Sequence, residues 1–91
     1  MFALNHRTAL VTGGAKGIGK GIAATLREAG AQVLIADIDR STGEQTAGEL
    51  GAHFVELDVR SQTSCFAAVD AAVQRYGRLD ILCSNTGIFP N

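Results

Sequence analysis

The chain has 91 residues, enough for one small domain and too few for two. Hydrophobic residues make up 46% of it, which supplies a core and excludes an intrinsically disordered segment. The formal net charge is −1 with the two signs interspersed. No basic stripe therefore exists to hold nucleic acid or an anionic membrane, and no apolar run approaches the roughly 20 residues of a membrane span.

Thr8–Thr12 (TALVT) reads as a first strand. A helix follows, its apolar residues Ile18, Ile22, Leu26 and Ala29 recurring at helical spacing, with Gly30 as its stop. Gln32–Asp37 (QVLIAD) is the second strand. Ser41 and Glu44 have the spacing of a capping box, so the second helix is expected from Ser41 to about Leu50, stopped by Gly51. His53–Leu57 (HFVEL) is the third strand, and its alternation suits a place nearer an edge. The third helix is expected from near Ser61 to Gly77, burying Phe66, Val69, Val73 and Tyr76. Leu79–Ser84 (LDILCS) is the fourth strand.

Strict alternation with short connections implies a parallel sheet with helical crossovers. Right-handed crossovers that reverse direction after the third strand give the order 3-2-1-4, a Rossmann-type doubly wound α/β sheet. Neither linker nor repeat divides the chain. The opening MFALNHRTAL lacks the apolar stretch and cleavage site of a signal peptide. Cys65 and Cys83 match no metal-ligand spacing and read as reduced, buried thiols of a cytoplasmic protein. His6 and His53 share no cluster with acids or cysteines, so no metal site is expected.

The segment VTGGAKGIG (Val11–Gly19) places four glycines in nine positions, where the first strand hands over to the first helix. A helix N-terminus presents unpaired N–H groups and partial positive charge, which suits a phosphate. Gly13 allows the tight turn. Gly17 lets a pyrophosphate approach the backbone, and Gly19 lets the helix pack tightly on the sheet. A bare turn needs only one or two glycines. GAKGIGKG (Gly14–Gly21) falls one residue short of a P-loop, because Gly21 stands where a Ser or Thr would hold Mg²⁺. Nucleoside triphosphate hydrolysis is therefore disfavoured, and Lys20 reads as a solvated helix residue. Asp37 ends the second strand about two dozen residues beyond Gly13, where a dinucleotide fold places an acid for the adenosine ribose hydroxyls. Asp39 and Arg40 read as the start of the next turn.

On these residues the chain resembles the classical branch of the short-chain dehydrogenases/reductases. TGGAKGIG (Thr12–Gly19) is similar to their T-G-x-x-x-G-I-G signature, which includes Ile18. LDV (Leu57–Val59) resembles the pair after the third strand, in which the resemblance implies that Asp58 contacts the adenine amino group and the Val59 N–H a ring nitrogen. SNTGI (Ser84–Ile88) resembles N-N-A-G-I; Asn85 and Gly87 match it, and Ser84 and Thr86 replace its first Asn and its Ala. The resemblance implies hydride transfer between a nicotinamide cofactor and a small-molecule alcohol or ketone, in a homo-oligomer (tetramer or dimer). A basic residue at Lys16 can, in this family, meet the 2′-phosphate of NADP; the plainer reading is an exposed loop lysine. Asp37 followed by the uncharged Ile38 favours NAD over NADP.

The family's acid/base chemistry needs Y-x-x-x-K. The one tyrosine, Tyr76, is followed at that spacing by Asp80, so no catalytic residue is assigned and Tyr76 reads as core. The whole chain, 1–91, is expected to be the N-terminal cofactor-binding portion of a longer enzyme. Two other readings remain: a non-catalytic module that binds or senses the dinucleotide, and an S-adenosylmethionine methyltransferase, which usually wants an acid just before the first glycine where Val11-Thr12 offer none.

Overall fold

The computed structural model describes residues 4–85. The strands are β1 (Thr8–Thr12), β2 (Gln32–Asp37), β3 (His53–Glu56) and β4 (Ile81–Ser84), and the helices are α1 (Gly17–Glu28), α2 (Arg40–Leu50) and α3 (Gln62–Tyr76). They alternate along the chain and form one parallel sheet in the order β3-β2-β1-β4, as the crossover rule requires.

β1 lies between β2 and β4, with Val11 opposite Ile35 on one side and Cys83 on the other. Covered on both faces, all five of its residues are buried, which explains its unbroken apolar and threonine composition. On one face Ala9, Val11, Val33 and Ile35 pack with Ala23 of α1 and Ala47 of α2, flanked by Ile22 and Leu26. On the other, Leu10, Leu34 and Ala36 pack with Leu57 and with Ala68 and Ala72 of α3. The sheet is therefore doubly wound. Emptying either core at Leu10 or Ile35 by substitution to Ala costs about 2–5 kcal/mol. β3 is an edge strand, as its alternation implies, with His53 and Glu56 exposed.

Four expectations need correction. The capping box is not used: Asp39 is the N-cap of α2, its carboxylate accepting from the Thr42 N–H at 3.1 Å. Helix α2 therefore starts at Arg40, ahead of Ser41. On α3 the small residues Ala68 and Ala72 face the sheet, whereas Phe66, Val69 and Val73 are exposed at 65%, 36% and 42%. Alanines allow close approach to Leu10 and Leu34, and size overrides hydrophobicity in choosing the buried stripe. Tyr76 alone of the expected set packs inward, its hydroxyl donating to the Val33 carbonyl at 3.2 Å. Ile18, placed on the apolar face of α1, is 76% exposed, because it lies in the first turn beyond the edge of the sheet core. Cys65 and Cys83 are unpaired but half-buried, since each lies at the margin of a core.

The remaining boundaries hold closely. Ser61 caps α3, accepting from the Ser64 N–H at 3.1 Å. Gly51 and Gly77 end α2 and α3 in the left-handed region, at φ 68° and 83°. No helix among the described residues is long and apolar enough to cross a membrane.

Candidate functional site

The C-terminal ends of β1, β2, β3 and β4 open on one edge of the sheet, where a cleft of about 530 Å³ lies beside the start of α1. That volume falls in the usual range for small-molecule and cofactor sites. Gly13, Lys16 and Ile18 line it from the glycine turn, Asp37 and Ile38 from the end of β2, Asp58 and Val59 from beyond β3, and Asn85 from beyond β4. The crossover geometry thus gathers residues far apart in sequence. Gly87 lies outside the described residues, as do Thr86 and Ile88.

The turn depends on its glycines in different ways. Gly13 and Gly17 have φ of 67° and 63°, a conformation that costs a residue with a Cβ about 1–2 kcal/mol. A Cβ on Gly17 would meet nothing within 4 Å, so its surface faces open space. A Cβ on Gly19 would collide with the Gly13 carbonyl oxygen and stand 2.9 Å from Asn85 Nδ2. Gly19 therefore serves close approach between helix and turn more than between helix and sheet. The N-terminus of α1 carries no side-chain cap, no acidic residue stands in its first turn, and Lys16 at the N-cap position is exposed. Its positive dipole end is left available to an anion. Lys20 points away, its Nζ 2.9 Å from Glu49 Oε1.

Asp37 ties the turn to β2. Its Oδ2 accepts from the Ala15 N–H at 3.1 Å and its Oδ1 from the Asp39 N–H at 3.0 Å. A carboxylate oxygen has two acceptor positions, so each retains one for a ligand hydroxyl. Asp58 carries a different partner: the Arg60 guanidinium grips its carboxylate, and this hydrogen bonding, reinforced by the Arg60 backbone N–H, holds the Asp58 carboxyl below the usual carboxylate range. Asn85 is held by its backbone N–H, which donates to the Thr12 carbonyl at 3.2 Å and to Thr12 Oγ1 at 3.1 Å.

Three supporting residues escaped the reading of the sequence. Thr12 Oγ1 also donates to the Cys83 carbonyl, joining β1 to β4 at the cleft. Buried Thr46 donates to the Ala15 carbonyl at 2.6 Å and holds the turn from behind. Arg60 lines the cleft. Thr12 carried a signal, as the first residue of the glycine signature; Thr46 sits mid-helix and carried none. Among the described residues no group of three His, Cys, Asp or Glu is placed to hold a metal ion.

A doubly wound parallel sheet with a glycine turn at its first crossover defines a Rossmann-type α/β domain. The profile of the short chain dehydrogenase family matches residues 7–91, and the chain belongs to that family. It is 46% identical over 88 residues to sex determination protein tasselseed-2 of Zea mays, a match covering 93% of this chain and 26% of that protein. It is 41% identical over 87 residues to (+)-borneol dehydrogenase 1 of Salvia officinalis, covering 93% of this chain and 34% of that one. Among solved structures, the hydroxysteroid dehydrogenase of Escherichia coli superposes with a TM-score of 0.87 at 34% identity, over 96% of this chain and 39% of that chain. The chain thus spans about a quarter to two fifths of the length of these relatives.

Proposed function

We propose that this chain forms the NAD-binding part of an oxidoreductase acting on an alcohol or ketone. Family membership and the dehydrogenase names among its relatives support the reaction class. The observation that carries the cofactor reading is Asp37, held at the cleft by two backbone N–H groups with one acceptor position free on each oxygen. The bound nicotinamide supplies the hydride chemistry. This chain's residues hold and orient. The uncapped start of α1 and the open face of Gly17 fit a pyrophosphate, Asp37 accepts from two ribose hydroxyls, and Asp58 and Val59 meet the base. Asn85, anchored to Thr12, walls the cleft on the β4 side. No residue here is assigned the proton transfer, since the one tyrosine, half-buried and bonded to the Val33 carbonyl, does not line the cleft.

The preference for NAD over NADP follows from charge. A 2′-phosphate would set about two negative charges against the Asp37 carboxylate. At ~4 Å each repels by about 1 kcal/mol in bulk water and more in the lower effective dielectric of a protein. Two kcal/mol or more is about thirtyfold. Lys16 opposes this from an exposed position, where such a pairing is worth about 0–1 kcal/mol. Ile38 adds no charge. The test is paired titration of the full-length protein and its Asp37→Asn variant with NAD(H) and NADP(H) at fixed ionic strength. Asparagine keeps an acceptor for the turn while removing the charge. The preference for NAD(H) falls at least tenfold in the variant; equal affinity for both cofactors in the parent, or an unmoved ratio in the variant, refutes the assignment.

A further inference from the structure

The grip of Arg60 on Asp58 goes beyond an ordinary surface ion pair. Asp58 Oδ1 accepts twice, from the Arg60 backbone N–H and from Nε, both at 3.0 Å, and Oδ2 accepts once, from Nη2 at 3.2 Å. Of the roughly four acceptor positions on a carboxylate, Arg60 therefore uses both on Oδ1 and one on Oδ2. A single acceptor remains. Backbone and side chain of one residue close rings on the carboxylate, so its rotation is restrained from two directions at once. The Asp58 backbone is fixed as well, its N–H donating to Ser64 Oγ at 3.0 Å within the capped first turn of α3. Both Asp58 and Arg60 line the cleft, with side chains 38% and 74% exposed.

The geometry points to Arg60 as a positioning residue that sets the base selectivity of the site: by saturating Oδ1 it leaves Asp58 one fixed acceptor on Oδ2, which accepts from a purine carrying an exocyclic amino group and rejects one carrying a carbonyl there. This rests on the dinucleotide reading above and adds a residue to it. An amino group donates to that lone pair. A carbonyl oxygen in its place sets acceptor against acceptor, and a free carboxylate can turn away from the conflict where a gripped one cannot. Arg60 acts through Asp58 and need not touch the ligand.

The probes are NAD and nicotinamide hypoxanthine dinucleotide, which differ at C6, amino against carbonyl, and at the neighbouring N1, an acceptor in adenine and an N–H in hypoxanthine; they are titrated by calorimetry or protein fluorescence into the full-length protein. The parent binds NAD more tightly. Arg60→Ala lowers the ratio of the two affinities about three- to tenfold, the weight of one hydrogen bond. Arg60→Lys recovers only part of the ratio, since an ammonium cannot form the fork. In an Asp58→Asn background, Arg60→Ala moves the ratio no further, which a residue acting independently of Asp58 would not show. An unchanged ratio in Arg60→Ala overturns the proposal. So does an equal loss for both dinucleotides, which marks a purely structural role, and so does a selective loss of NADP, which marks a phosphate ligand. A parent that binds NAD without discriminating the base overturns this inference and leaves the cofactor reading standing; a parent that binds neither dinucleotide overturns both.

Discussion

Three glycines at the start of α1, Gly17, Gly19 and Gly21, should respond differently to the same substitution. In Gly19→Ala the new Cβ falls against the Gly13 carbonyl, with its carbon at 2.8 Å and Asn85 Nδ2 at 2.9 Å. No flexible side-chain end can yield, because the obstacle is backbone. Gly13 itself is tied, its N–H donating to the Ala36 carbonyl at 2.7 Å and its φ lying at 67°. Overpacking of this kind costs about 1–3 kcal/mol. Gly17→Ala meets no atom within 4 Å, yet carries φ +63° and loses about 1–2 kcal/mol for that reason alone. Gly21→Ala, within α1 and with nothing within 4 Å, gains about 0.4–1 kcal/mol by restricting the unfolded chain. Thermal melts of the full-length protein and the three variants give the order Gly21→Ala above parent, with Gly17→Ala and Gly19→Ala below it. Titration with NAD then separates the two losers. Gly17→Ala weakens binding beyond its stability loss, because its methyl occupies the open face of the turn. A Gly19→Ala protein that melts at or above the parent refutes the close-approach argument; a Gly21→Ala protein below Gly19→Ala refutes the reasoning altogether.

Other outcomes follow from the same structure. The Arg78 guanidinium, aided by the Thr8 N–H and by Arg7, holds the Asp80 carboxyl below its ordinary value, so the stability it contributes is present at neutral pH and is lost as pH falls below about 4. Urea titrations at pH 7, 5 and 3 should show Asp80→Asn less stable than parent at pH 7 and the difference closing at pH 3; a difference that grows toward acid contradicts the sign. The 91-residue chain by itself should transfer no hydride, since Y-x-x-x-K is absent from it, and steady nicotinamide reduction above buffer and contaminant controls would contradict that. The same chain by itself should self-associate, because among the described residues β4 is an edge strand with Leu82 59% exposed, and Phe66 and Val69 of α3 are exposed as well; a monodisperse monomer with a sharp melt in analytical ultracentrifugation and calorimetry counts against it.

Much of the architecture was legible because backbone chemistry announces itself. Gly51 and Gly77 mark left-handed helix ends, Ser61 marks a cap, and the four apolar runs mark strands whose order the crossover rule then fixes. The cleft was legible for the same reason: Gly13, Asp37, Asp58 and Asn85 all sit where a strand ends, and parallel strands bring those ends together. What was not legible was competition between equivalent local signals. Asp39 and Ser41 are both good caps, and the one closer to the end of β2 won. Two helical stripes overlap on α3, and the sheet took the one whose alanines allow close approach, leaving Phe66, Val69 and Val73 outside. Residue pairing across space, such as Thr46 with Ala15, leaves no trace in spacing at all.

The most direct measurement is the amide shift map of the isotopically labelled full-length protein on addition of NAD. Binding in this cleft predicts that the perturbed amides cluster at residues 13–19, at Asp37 and Ile38, at 58–60 and at Asn85, with saturation at lower concentration for NAD than for NADP. Perturbations confined to the exposed face of α3, or no saturable change at the glycine turn, would contradict the assignment of this site.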